Sequence, residues 1–287
     1  MTDGSGVGGE VVRHLLRGLH SSLWVMVVVG MVFFGDLREA RGETGWDITV
    51  MGGVENVGSR DEMGSPLAYR GRGFPGAVRT ERRGPTLELG MELGAFIYGI
   101  NGGRLEAERA EVDRHWAESV SVDLALWGQR VVATPRDHRL ALGLQISHWT
   151  FYRSYHYDPT QIGSVETWDA PLTADVRADL QRNLGPDLEV RLAASFPLAG
   201  RMMRPNYAIR GDERIALIEE RRRVLNGRWM TLNRFQMIRG EAALNWRVSQ
   251  RWSVTTQYRI AMFTYRDDTS TQAFSQRGLA GIRFVFF

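Results

Sequence analysis

From Trp46 to its C-terminus the chain repeats one device, an apolar residue at every second position over runs long enough to cross a bilayer. Trp46, Ile48 and Val50 share one face and Asp47 and Thr49 the other, which predicts a first strand to Val54. Leu87, Leu89, Met91, Leu93, Ala95 and Ile97 stand against Glu88, Gly90, Glu92 and Gly94. Leu140, Leu142, Leu144 and Ile146 stand against Ala141, Gly143, Gln145 and Ser147. Two is the period of a strand, whose side chains point alternately to opposite faces, so the fold class is all-β.

Further rows follow the same rule. Val120, Val122, Leu124 and Leu126 alternate with Ser119, Ser121, Asp123 and Ala125, and Leu172 to Leu180 alternate with Thr173, Asp175, Arg177 and Asp179. Leu188 to Phe196 face away from Glu189, Arg191, Ala193 and Ser195. Ile238 to Trp246 oppose Arg239, Glu241, Asn245 and Arg247, and Val254 to Met262 oppose Thr255, Gln257 and Arg259. With a weaker strand at Phe74 to Arg82 and a terminal one, the count is about ten. Tight turns fall at Arg83-Gly84-Pro85, Thr134 to Asp137, Asn183 to Asp187 and Val248 to Arg251. Long connections fall at Glu55 to Gly73, 104 to 117, Tyr152 to Asp169, Pro197 to Met230 and Arg266 to Ser275. Pro197 to Met230 carries a predicted helix, capped by Asp212, with Ile215, Ile218 and Leu225 at helical spacing and Asn226-Gly227 at its end.

Composition removes several classes. With no cysteine, neither a disulfide framework nor a thiolate metal site is available. All 36 basic residues are Arg, yet the formal charge is only +3 and most of them alternate with acids, which argues against nucleic acid as a partner. Arg13, His14, Arg17 and His20 precede an apolar run from Leu23 to Phe34, followed by Ala40-Arg41-Gly42. That pattern is a secretory signal over 1–42, and the run is too short for a spanning helix. Residues 43–287 then form the exported domain.

The last residues, Gln276 to Phe287, read as a strand with Ala280, Ile282, Phe284 and Phe286 on one face and Gly281, Arg283, Val285 and Phe287 on the other. The segment resembles the C-terminal strand of bacterial outer-membrane barrels, which typically ends in Phe and is read by the machinery that inserts them. Strand length and the alternation of short with long connections suit the same family, whose periplasmic turns are short and external loops long. Over residues 43–287 the chain is thus similar to small, roughly omptin-sized outer-membrane barrels. The resemblance implies an antiparallel up-and-down transmembrane β-barrel in the bacterial outer membrane. It implies outer-membrane lipids, lipopolysaccharide and the barrel-assembly machinery as partners, and Ile282, Phe284, Phe286 and Phe287 as the assembly strand.

Three functions fit such a barrel. The leading one is a structural or interaction role through Arg-rich external loops, with the lumen closed by paired charges. The inward rows supply Glu88, Glu92, Asp123, Asp175, Arg177, Asp179, Glu189, Arg191, Arg239, Glu241, Arg247 and Arg259, both signs in alternation. The second is a pore for small solutes. The third is a hydrolase at the outer rim. Omptins are known for a carboxylate pair and an Asp–His dyad there, and Asp113-Arg114-His115 and Asp267-Asp268 supply similar groups, at positions unlike that family's. Ser147 with His148, or Ser154 with His156, has the composition of a nucleophile and base, but adjacent strand residues face opposite ways. His156 and Asp158 lie in a Tyr-rich stretch without the spacing of a metal site, so neither metal nor cofactor is expected.

Overall fold

The computed structural model describes residues 45–62, 65–97, 105–107, 116–133, 138–156, 164–204, 209–210, 228–230, 232–266 and 270–286. The expected signal segment and Phe287 lie outside them, as does the whole of the predicted helix. Ten long strands form the wall: β1 (Gly45–Asp61), β2 (Ser65–Arg83), β3 (Leu87–Ile97), β5 (Trp116–Ala133), β6 (His138–His156), β7 (Ser164–Asn183), β8 (Leu188–Met203), β11 (Phe235–Arg247), β12 (Trp252–Arg266) and β13 (Ser270–Phe286). Three short pieces, β4 (Leu105–Ala107), β9 (Ile209–Arg210) and β10 (Arg228–Met230), extend the ladder at one end.

Each long strand pairs antiparallel with its neighbours in sequence, and β13 pairs with β1 from Trp46↔Phe286 to Asp61↔Thr271. That ladder closes an up-and-down barrel and leaves no lateral edge. The apolar rows face out and the polar rows face in: on β6, Leu144 is 62% exposed while its neighbour Gln145 is 2% exposed. A soluble barrel would reverse this; an apolar exterior around a polar interior is the arrangement that lipid selects. Trp246 and Trp252 are exposed at the short-turn end, where Trp252 packs edge-on to Phe284 and Phe284 onto Phe286. They form part of an interfacial aromatic belt.

The strands run from 11 to 20 residues, longer than a crossing requires. Here three expected loops are corrected. Glu55 to Gly73 is strand at 55–61 and 65–73, Tyr152 to Asp169 is strand at 152–156 and 164–169, and within 266–275 residue 266 and residues 270–275 are strand. Likewise β8 continues through Pro197 to Met203. Above the lipid belt the outward residues become polar, as Asn56 and Arg60 do on β1, so hydropathic alternation fades although the ladder continues. A second effect hid β8. Its register with β7 shifts between Ala174 and Asp175, opposite Pro197, which has no N–H to donate. Parity changes there, at the unpaired Leu198, so Gly200 and Met202 turn inward instead of Ala199 and Arg201.

Glycine permits two close approaches. A Cβ on Gly143 would collide with the Gly128 carbonyl, and one on Gly90 with the Trp127 ring that lies across it.

The two faces should respond differently to charge. Val176→Arg, outward on β7, should destabilise by roughly 2–4 kcal/mol if it lies near the midplane. Thr173→Ala, on the inward row, should be mild. Urea unfolding in lipid vesicles reads both, and equal sensitivity would contradict the assignment of faces.

Candidate functional site

The lumen is built in layers that can be followed along any one strand. From the short-turn end, β6 presents Ala141, Gln145 and Ser147, then Trp149 and Phe151, then Arg153 and Tyr155. The opposite wall repeats the order, with Gln257 and Arg259 followed by Phe263 and Tyr265 on β12.

The lower layers are ionic. Arg191 Nη1 reaches Glu81 Oε1 at 2.6 Å while its Nε holds Asp179 Oδ1 at 2.7 Å. Arg83 bridges Glu189 at 3.2 Å and Glu81 at 3.0 Å, and Asn245 donates to Glu189 at 2.9 Å. Strands β2 and β8 are five apart in a ring of ten, so these contacts run between opposite walls. One layer up, Arg79 grips Glu241 with two hydrogen bonds of 2.7 and 2.5 Å and donates to Glu92 at 2.7 Å. Arg259 holds the same Glu92 in a two-point contact. Arg277 joins Glu55 at 2.8 Å to Asp123, and Arg177 joins Asp179 at 2.8 Å to Gln145 at 2.7 Å. The Trp127 ring carries the Arg177 guanidinium 4.7 Å from its centroid. Bidentate, charge-assisted bonds of this kind fix side-chain geometry as well as offsetting the cost of burial.

Of the sequence-predicted lumen residues, Glu92, Asp123, Arg177, Asp179, Glu189, Arg191, Glu241 and Arg259 are joined in this network. Glu88 is paired with Arg139 at 2.8 Å, and Asp175 accepts from Ser147 at 2.7 Å. Arg239 lines a cavity of about 100 Å³ between the layers, together with Asp123, and makes no hydrogen bond or ion pair with another described residue. Arg247 is a correction: it keeps the inward parity, but it stands in the last β11–β12 ladder pair, opposite Ser253, and one residue past the last pair with β8, so it is exposed at the mouth, and among the described residues its backbone N–H donates to Asp187 O at 2.7 Å. A cavity of about 20 Å³ sits beside Arg83 and Arg191.

Above the charges lies an apolar layer of Trp149, Phe151, Met202, Met230, Phe235, Met237, Phe263, Tyr265 and Ala273. Trp149 meets Phe263 edge-on with centroids 5.0 Å apart. A second ionic group covers it. Arg153 and Arg204 both contact Asp61 and Asp169, and Asp61 also accepts from Thr167 at 2.8 Å and Thr271 at 3.2 Å. Arg153, Asp61 and Asp169 are fully buried. In the adjoining turn Glu62 accepts the Ser270 backbone N–H at 3.0 Å, which holds its carboxyl below the ordinary value.

Part of these upper layers, including Asp61, Arg153, Asp169, Met202, Arg204 and Ala273, falls in stretches that the sequence alone predicts to be loop. The signal was present: the inward row of β6 passes from Gln145 and Ser147 to Trp149, Phe151 and Arg153 without losing its period. Ser147 and His148 face opposite ways, Ser147 bonded to Asp175 inside and His148 to Thr150 at 2.9 Å outside. Asp113, His115, Asp267, Asp268, Asp158 and the His156 side chain lie outside the described residues. On β13, Ile282, Phe284 and Phe286 of the expected assembly strand face outward, and Arg283 pairs with Asp47 at 2.7 Å inside.

No protein-family model matches the sequence, and no curated protein matches it. Solved structures match in fold. The outer membrane protease OmpT from Escherichia coli aligns at a TM-score of 0.57 and 11% identity, covering 88% of this chain and 99% of that one. The transport unit of the autotransporter AIDA-I from Escherichia coli aligns at 0.45 and 12% identity, covering 93% and 98%. The translocator domain of the autotransporter NalP from Neisseria meningitidis aligns at 0.41 and 11% identity, covering 94% and 97%.

Removing one partner from the lumen should be costly. Arg191→Ala would leave Glu81 and Asp179 with uncompensated buried charge, for a loss of about 3–5 kcal/mol. Arg247→Ala, at an exposed position, should change stability by less than about 0.5 kcal/mol. Similar urea midpoints for the two variants would show that the ion pairs contribute nothing.

Proposed function

We propose that this chain, an outer-membrane β-barrel of ten strands and roughly omptin size, acts as a sealed barrel with a structural or interaction role carried by its outer end. What supports the reading is a single observation: arginines and carboxylates reach each other from opposite walls, and an apolar layer lies across the lumen above them. A pore needs a wetted route wide enough for its solute, whereas small barrels have interiors filled by side chains. The two lumen cavities are of water size to a few waters.

The outer end offers the contact surface. Arg60, Arg70 and Arg72 lie on neighbouring strands just beyond Val54 and Phe74, at a height where lipopolysaccharide phosphates would meet guanidinium groups. The strand that closes the ladder onto β1 is β13, which suits it to be the segment engaged by the barrel-assembly machinery.

Planar-bilayer recording tests the reading. The purified protein should be electrically silent. Leakage is expected once Arg177→Ala and Arg191→Ala are combined with Trp149→Ala and Phe263→Ala, which thins both layers. Steady, concentration-dependent single-channel conductance from the unaltered protein would replace this reading with the small-solute pore.

A further inference from the structure

The short-turn end carries a set of cations that the lumen does not use. Arg82 lies opposite Trp46 and Leu89, Arg130 opposite Leu87 and Leu142, and Arg182 opposite Val190. Those partners are outward residues of the apolar rows, so the three guanidinium groups leave the wall at the lower border of the lipid belt. They sit on β2, β5 and β7, each at the end of a strand descending to a short turn. Arg247 and Arg251 are exposed at the β11–β12 turn. That turn is pinned: the Ser249 hydroxyl accepts the Arg251 and Trp252 backbone N–H groups, and Arg251 O accepts from Val285.

No side chain of these five makes a hydrogen bond or ion pair with another described residue. Among the described residues at this end, the one exposed carboxylate is Asp187. The other end differs. There Arg60 lies 3.7 Å from Glu62, and Arg72 Nε donates to Asn56 Oδ1 at 3.1 Å. In the lumen nearly every arginine has a carboxylate. Arginines that pair with no acid among the described residues, just below an apolar belt and level with Trp46, Trp252, Phe284 and Phe286, occupy the height of a lipid phosphate. Their aliphatic stems can lie along the belt while the forked head donates to phosphate oxygens.

We propose that Arg82, Arg130 and Arg182, helped by Arg247 and Arg251, form a binding ring for anionic phospholipid headgroups in the leaflet facing the short turns. The ring selects phosphate-bearing lipids of net negative charge and fixes the height of the barrel in its membrane. It depends on the barrel's spanning a bilayer, not on whether the lumen conducts.

The test uses the assembled barrel in vesicles of phosphatidylcholine mixed with phosphatidylglycerol, one lipid at a time carrying brominated chains that quench the outward tryptophans. At low ionic strength phosphatidylglycerol should be enriched at the protein surface about fivefold over phosphatidylcholine, the effect of roughly one guanidinium at an anionic surface. The enrichment should fall steeply as salt is added. The triple variant Arg82→Gln, Arg130→Gln, Arg182→Gln should show no preference, and the corresponding Arg→Lys triple should keep most of it. Arg266→Gln, at the exposed rim of the other end, should behave as the unaltered protein. Equal quenching by both lipids in the unaltered protein overturns the proposal, as does a preference that persists in the Gln triple. If the Gln triple does not assemble, a preference in the unaltered protein that is insensitive to salt overturns it instead.

Discussion

A backbone N–H or C=O without a partner in hydrocarbon costs several kcal/mol, and a sheet edge would expose a row of them. The ladder from Trp46↔Phe286 to Asp61↔Thr271 removes that row, and the other features of the barrel follow from the closure. Closing the sheet at ten strands fixes a narrow lumen. Once the wall is set, every inward residue must find a partner on a facing strand within side-chain reach. Arg191 with Glu81, Arg83 with Glu189 and Arg79 with Glu241 are the outcome.

The interior is stratified for a related reason. Within the lipid-covered height the outward row is committed to apolar residues, so polarity collects inside, and buried charge is tolerable only when paired. Beyond the lipid the constraint relaxes. The outward row turns polar at Asn56 and Arg60, and the interior can hold an apolar core as a soluble protein does. Trp149, Phe151 and Phe263 occupy that height, and the Arg153–Asp61–Asp169–Arg204 group closes over them. The upper barrel thus combines a membrane protein's connectivity with a soluble protein's core.

The two ends also treat their arginines differently. At the outer end exposed cations are accompanied by local acceptors such as Glu62 and Asn56. At the short-turn end Arg82, Arg130 and Arg182 stand beside mostly apolar ladder neighbours, and among the described residues no carboxylate pairs with them. An all-Arg chain makes this asymmetry chemically uniform, since each of these groups stays charged and presents the same planar fork.

The sequence alone determined what depends on a residue and its immediate neighbours. Period-two rows specified strands and their outward faces, Gly84-Pro85 and Gly185-Pro186 specified short turns, and the inward charges of Glu92, Arg177, Arg191 and Glu241 were legible from parity. Where the outward row lost its apolar character, at Glu55 to Gly73 and Tyr152 to Asp169, the same rule failed, because hydropathy reports lipid contact and not strand pairing. Asp61, Arg153 and Asp169 were lost with those segments. A parity change at Pro197 concealed Met202 for a different reason, a register shift that no single strand reveals. Only the tertiary structure decided who pairs with whom. Glu81 and Arg191 are 110 residues apart in the chain, and their meeting depends on the number of strands in the ring, a property of the closed sheet and of no local stretch.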